Sequence, residues 1–279
     1  MSLATPEKIR TLQRKLYCKA KAEPAFRFYV LYDKICREDI LRHAYMLARG
    51  NAGAPGVDGV TFAAIETSGL EAWLAGLREE LALKTYRPSP VRRVMIPKPN
   101  GGGERPLGIP TICDRVVQTA AKLVVEPIFE ADFEDNAYGD RPARGAVDAV
   151  KEVHRLICRG HTDVVDADLS RYFDTIPHSE LMKSVARRIV DRHVLRLIKL
   201  WLKAPIEERD EGNGTRRISK RQEQHSRHAA RWRCEPTACQ HLYESVPEAL
   251  AADGVWGSVP CGRCRVRRRL RHPQLRIRD

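Results

Sequence analysis

The stretch VVDADLSRYFDTIPH, Val164 to His178, holds the residues whose types and spacing best suit chemistry. A β-rich run ends in two carboxylates, Asp166 and Asp168, and an aromatic turn through Phe173 follows. A strand that carries a carboxylate to its end can hold a divalent cation. Such an ion bridges carboxylate and phosphate oxygens and neutralises the charge that develops in phosphoryl transfer. The same residues also suit a solvated strand end, so taken alone they leave both readings open.

A strand of this kind needs elements around it. Thr5 and Pro6 read as a helix start, with Ile9, Leu12 and Leu16 recurring at helical spacing to about Lys21. Arg37 to Arg49 places Leu41, Ala44, Tyr45 and Ala48 on one face, with Gly50 and Asn51 as the stop. A third stripe runs through Leu70, Trp73, Leu74, Leu77 and Leu81. Val91 to Pro97 is β-rich, and Asn100-Gly101-Gly102-Gly103 signals a hairpin leading into RPLGIP. Helices are predicted at about Cys113 to Phe129, Ala143 to Arg159, from His178, and over Val190 to Leu202, with loop beyond Pro205.

Lys and Arg number 49 against 36 Asp and Glu, and the net charge of +13 favours a polyanionic partner, nucleic acid before a membrane surface. No stretch approaches the roughly 18 apolar residues of a membrane span, and the N-terminus has no apolar signal core, so no membrane role and a cytoplasmic location are expected. Cys18, Cys36, Cys113 and Cys158 are scattered singly through periodic segments and read as reduced core thiols.

The segments GAPGVDGVTF, LREELALKTYRPSPVRRVMIPKP, the run from Arg92 to Glu130, NAYGDRPARGAVDAV and the acidic strand stand in an order and spacing that resembles the reverse transcriptases encoded by group II introns. The likeness covers roughly Leu16 to Arg217. It implies an α+β right-hand polymerase fold, with helical fingers before a small antiparallel palm sheet. It also implies RNA-directed DNA polymerase and intron maturase activity with Mg²⁺, and as partners intron RNA, an RNA template with a DNA primer, and deoxynucleoside triphosphates. By the same resemblance, Asp168 is the metal-binding aspartate, the Leu169 backbone carbonyl faces the same ion, and Phe173 is the aromatic gate against a 2′-hydroxyl. Lys98 and Arg105 are the fingers cations that hold the incoming triphosphate. Two departures stand out. Asp140 replaces an aromatic and Ala143 a glycine of the family's YGFRPGRS, and GGGE before Arg105 lengthens the hairpin.

The family's YADD hairpin and GTPQG segment are missing from this reading frame, and their place is taken by a foreign tail. Ser219 to Asp279 carries 13 Lys and Arg against 6 Asp and Glu, with Cys234, Cys239, Cys261 and Cys264. Reverse translation explains it. HAARW, read one base late with permitted codons, gives Thr-Pro-Gln-Gly, and RVRRRLRHP gives AYADDFVI in the right order. The chain therefore divides into residues 1–90, a helical extension and fingers; 91–217, an incomplete fingers and palm core; and 218–279, an out-of-frame tail expected to be disordered. The product as written is expected to be inactive. A different reading of the same tail takes the cysteine pairs with His241 as zinc ligands, making the chain a non-catalytic RNA-binding protein; the loose first spacing argues against zinc. Sequencing the gene across codons 215 to 225 checks the slip: the frame one base late should spell GTPQG and then YADD downstream, and unrelated text there sinks the idea.

Overall fold

A computed structural model describes residues 4–97, 103–139, 141–161, 163, 176–209 and 216–219. The elements are α1 (Glu7–Ala22), α2 (Tyr32–Ile35), α3 (Glu38–Gly50), α4 (Phe62–Ala82), β1 (Val91–Pro97), β2 (Glu104–Ile109), α5 (Ile112–Glu130), α6 (Ala146–Cys158), α7 (His178–Arg188), α8 (Arg192–Leu202), β3 (Ile206–Arg209) and β4 (Arg216–Ser219). The class is α+β, as expected. The strand predicted through Asp168 lies outside the described residues, as does the tail from residue 220.

α5 organises the core. Its buried side chains, among them Val116, Gln118, Ala120, Val124 and Ile128, spread around most of the helix and leave only a narrow, part-exposed strip through Arg115, Lys122, Glu126 and Phe129. α1 and α3 pack on it. Pro127 sits inside α5 and brings no N–H, so the carbonyl four residues back, on Leu123, loses its helical donor. The Gln13 side chain of α1 supplies it, donating from Nε2 to Leu123 O at 3.0 Å. An unmet buried carbonyl there costs about 1–3 kcal/mol.

Helix boundaries follow the predicted ones with physical corrections. α1 is capped by Pro6 rather than Thr5: the Pro6 carbonyl accepts from Ile9 and Arg10 N–H at 3.0 Å each. α4 begins eight residues before Leu70, where the Thr61 hydroxyl accepts from Ala64 N–H, and it bends at Gly69, φ +104°. The Gly69 bend breaks the apolar period and hides the first two turns from a periodicity reading. Cys18 and Cys158 are exposed and Cys36 and Cys113 half-buried, so the four thiols are not all core groups. Burial pushes the Cys36 thiol up to about 11 and the Cys113 thiol up to about 12, which keeps both protonated at neutral pH.

The sheet runs in the order β2-β1-β3-β4 and is mixed rather than antiparallel. β1 pairs antiparallel with β2 and parallel with β3, with Val91 opposite Ile206. The long helical excursion between β1 and β3 permits the parallel pairing, which a tight turn cannot. The loop expected beyond Pro205 is strand instead: β3 and β4 pair from Ile206 opposite Ser219 to Arg209 opposite Arg216. The charges of EERDEGNGTRR mask the period there, although Asn213-Gly214 is a hairpin signal.

Two buried ions fasten α7 and α8 to the N-terminal segment. The Arg188 guanidinium donates to the carbonyls of Ala20, Glu23, Pro24 and Phe26, and its Nε lies 2.9 Å from the Asp132 carboxylate. The Asp191 carboxylate accepts four N–H bonds, from Leu31 and Tyr32 at the start of α2 and from His193 and Val194 at the start of α8. Burial pushes this carboxyl up, but the four N–H donors outweigh burial and leave it below the usual range. Asp191→Ala uncaps two helix starts and should lower stability by about 2–4 kcal/mol in urea unfolding. A carboxyl depressed in the folded state stabilises above its unfolded value of about 4 and loses that contribution as pH falls through the folded value. The gap between wild type and variant should therefore close in acid.

Candidate functional site

The site is built from the β1–β2 hairpin outward. Pairing of Ile96 with Arg105 and of Pro97 with Glu104 leaves residues 98–103 as the connection, and Gly103 adopts φ +92°. Arg105 is half-buried on β2, and its Nε meets no acceptor among the described residues. Lys98, in the connection itself, lies outside the described residues. So do Asp166, Asp168, Leu169 and Phe173. Among the described residues no cluster of three or more His, Cys, Asp or Glu could hold a metal ion.

What is described is the mounting of the hairpin. Arg93 on β1 is almost fully buried and ion-pairs with Glu208 on β3, while Arg92 donates to the Pro55 carbonyl at 3.3 Å. Arg115, in the first turn of α5, donates to the carbonyls of Pro110 and Ala54. The GAPGVDG loop is thereby drawn against the end of β2. Gly56 shows how closely: a Cβ there would meet Thr111 Cα at 2.7 Å and Thr111 N at 2.8 Å. Glycine and proline in this loop signal a turn, but no local pattern announces its contact with Thr111.

Beneath the hairpin lies a buried carboxylate that sequence reasoning also missed. Asp114 accepts from the Tyr86 hydroxyl at 2.5 Å, the Thr111 hydroxyl at 2.8 Å and Ser89 N–H at 3.1 Å, and Trp201 Nε1 donates to the Tyr86 oxygen at 3.2 Å. The network joins the entry to β1, the start of α5 and α8. Burial raises the Asp114 carboxyl despite its three donors, and burial beside Asp114 pushes the Tyr86 phenol well up. Its partners are all structural, so it reads as a clamp rather than an acid-base group.

The segment NAYGDRPARG holds a knot around Arg141. This guanidinium pairs with Glu130, with Nη2 to Oε1 at 2.7 Å, donates to the Glu134 and Ala137 carbonyls, and lies 4.9 Å from the Phe133 ring centroid. Asp140 lies outside the described residues. Ala143 takes φ +59°, left-handed backbone that glycine adopts freely and alanine does not. The departure from glycine at this position thus has a physical consequence, a strained turn two residues before α6 begins its cap at Gly145, where the Asp148 carboxylate accepts the Gly145 N–H at 3.0 Å.

Residues 96–233 match the family described as reverse transcriptase (RNA-dependent DNA polymerase). The match continues into residues 218–233, which the frame argument places in the tail. Protein YkfC of Escherichia coli K12 is 42% identical over 202 residues, covering 70% of this chain and 52% of its own length. The group II intron-encoded protein LtrA of Lactococcus lactis subsp. cremoris is 35% identical over 179 residues, 63% of this chain and 29% of its own. The nuclear intron maturase 2, mitochondrial, of Arabidopsis thaliana is 28% identical over 152 residues, 53% of this chain and 20% of its own. The chain spans about half the length of the first of these relatives and less than a third of the other two. No helix among the described residues is long and apolar enough to cross a membrane.

Relief of the strain at Ala143 is measurable without any activity. Ala143→Gly should raise the unfolding free energy by about 0.5–1 kcal/mol, the left-handed penalty offset in part by glycine's freedom in the unfolded chain. An unchanged or lower denaturation midpoint would overturn this account of the turn.

Proposed function

For a chain that belongs to the reverse transcriptase family, alongside group II intron-encoded proteins and intron maturases, we propose that it forms the fingers and the opening of the palm of an RNA-directed DNA polymerase. In an intact relative this part grips intron RNA and template, and seats an incoming deoxynucleotide. The observation that carries the reading is the β1–β2 hairpin, which sits largely inside the matched segment and presents Arg105, with no acceptor at its Nε among the described residues, next to the connection that bears Lys98. Two fixed cations on a braced hairpin suit a triphosphate, whose oxygens accept charge-assisted bonds. By the family resemblance, Phe173 is the residue that would exclude a 2′-hydroxyl. Asp168 and the Leu169 carbonyl are the groups that would hold Mg²⁺, and the bound ion supplies charge neutralisation at the reacting phosphate.

Read one base late, permitted codons for the tail spell the palm's remaining carboxylates, so we infer that residues 218–279 do not complete the site and that the product binds RNA without copying it. The experiment is primer extension on an RNA template, run with this chain and with a frame-restored chain that has one base removed near codon 219. No extension is expected from the first. The second should recover activity by on the order of a thousandfold or more, because each ion-binding carboxylate stabilises the transition state by several kcal/mol. Extension by the unrepaired chain that Asp168→Ala abolishes would overturn the inactivity. A repaired chain with its full downstream region that still fails would place a second lesion in the fingers, with Asp140 and Ala143 as the first suspects.

A further inference from the structure

The loop between α1 and α2 combines two properties that seldom occur together, a rigid backbone and an exposed aromatic ring. Phe28 N–H donates to Arg188 O at 2.7 Å, and Val190 N–H donates to Phe28 O at 2.8 Å, forming a bridge across to the end of α7. Arg188 holds the carbonyls before it and Asp191 holds the N–H groups after it. Yet Tyr29 is 67% exposed and Val30 51% exposed. The tyrosine ring is presented outward from a fixed backbone, beside the Phe26 ring at 6.5 Å between centroids.

Beside it opens a surface cavity of about 740 Å³, lined by Tyr29, Val30, Arg78, Lys84, Arg192 and His193 along with other groups. Lys84 and Arg192 are exposed, and neither carries an ion pair to a carboxylate among the described residues. Arg196 donates to the Lys84 carbonyl at 3.2 Å, bringing a third cation to the rim. Both carboxylates in the wall are committed: Asp33 lies 3.2 Å from Lys34, and Asp191 takes four N–H bonds. The field is legible at His193, whose imidazole is held below its ordinary value by burial and then by Lys84, Arg192 and Arg196.

We propose that this groove is a seat for single-stranded RNA, in which a base stacks on Tyr29 and consecutive phosphates face Lys84, Arg192 and Arg196. The inference rests on the RNA-binding reading above and adds a place for it, away from the hairpin. A rigid aromatic platform beside a stripe of fixed cations is what sequence-tolerant binding of an unpaired strand requires, because every base has a face to stack and every linkage a charge. A braced loop adds affinity by leaving little freedom to lose on binding.

The test uses the full chain and a short labelled oligouridine, followed by fluorescence anisotropy across a salt series. Tyr29→Ala should weaken binding about tenfold, and Tyr29→Phe should restore it. Lys84→Gln combined with Arg192→Gln should lower the slope of log affinity against log salt by about 1.4, two phosphate contacts on a single strand. All three residues are exposed, so thermal unfolding should stay unchanged. Binding by wild type that none of these variants alters overturns the groove and leaves the fingers reading intact. No binding by wild type overturns both. Displacement of the oligouridine by polyglutamate as readily as by unlabelled RNA marks a generic anion surface and overturns the proposal.

Discussion

Burial of α5 around most of its circumference is the constraint from which the rest of the structure follows. A helix so deeply buried leaves few polar groups to water, so those on its buried faces call for partners from elsewhere in the chain. The carbonyl of Leu123 that Pro127 strips of its donor is met by Gln13. Asp114, in the first turn, is met by Tyr86, Thr111 and Ser89. Because Gln13 comes from α1 and Tyr86 and Ser89 from the segment between α4 and β1, satisfying α5 also fixes where the hairpin leaves the helical body.

The hairpin inherits its position from that arrangement. Arg92 and Arg115 reach the loop before α4, Gly56 lets the same loop touch Thr111, and Arg93 ties β1 to β3. Cations close to a nucleotide site are useful only if their backbone does not move when charge arrives, since reorganisation would consume the interaction. The bracing of β1 and β2 meets that need. The Arg188 and Asp191 clamps, buried ions satisfied largely by backbone groups, do the same for the loop that carries Tyr29.

α6 is the counterexample. It is amphipathic, yet none of its residues is buried, and Val147, Val150 and Val153 are each more than half exposed. The strained Ala143 and the Arg141 knot lie just before it. A departure from the family's pattern and incomplete local burial thus coincide around α6.

Local rules in the sequence were enough for the helices of α1, α3, α5 and α8, whose apolar residues recur every three or four positions, and for β1, whose β-rich run precedes a glycine turn. They also sufficed for the family, since its motifs stand in order along the chain. The contacts that hold the parts together were not legible there. The parallel partnership of β1 with β3 joins residues more than a hundred positions apart, and the charges of Glu207 and Glu208 hid β3 from any period. Asp191, Arg188, Gln13 and Asp114 look like ordinary polar residues in sequence, because what makes each of them matter is a backbone group supplied by a distant element. The left-handed turn at Ala143 is the same kind of case: the residue type argues against it, and only the packing around Arg141 and the start of α6 imposes it.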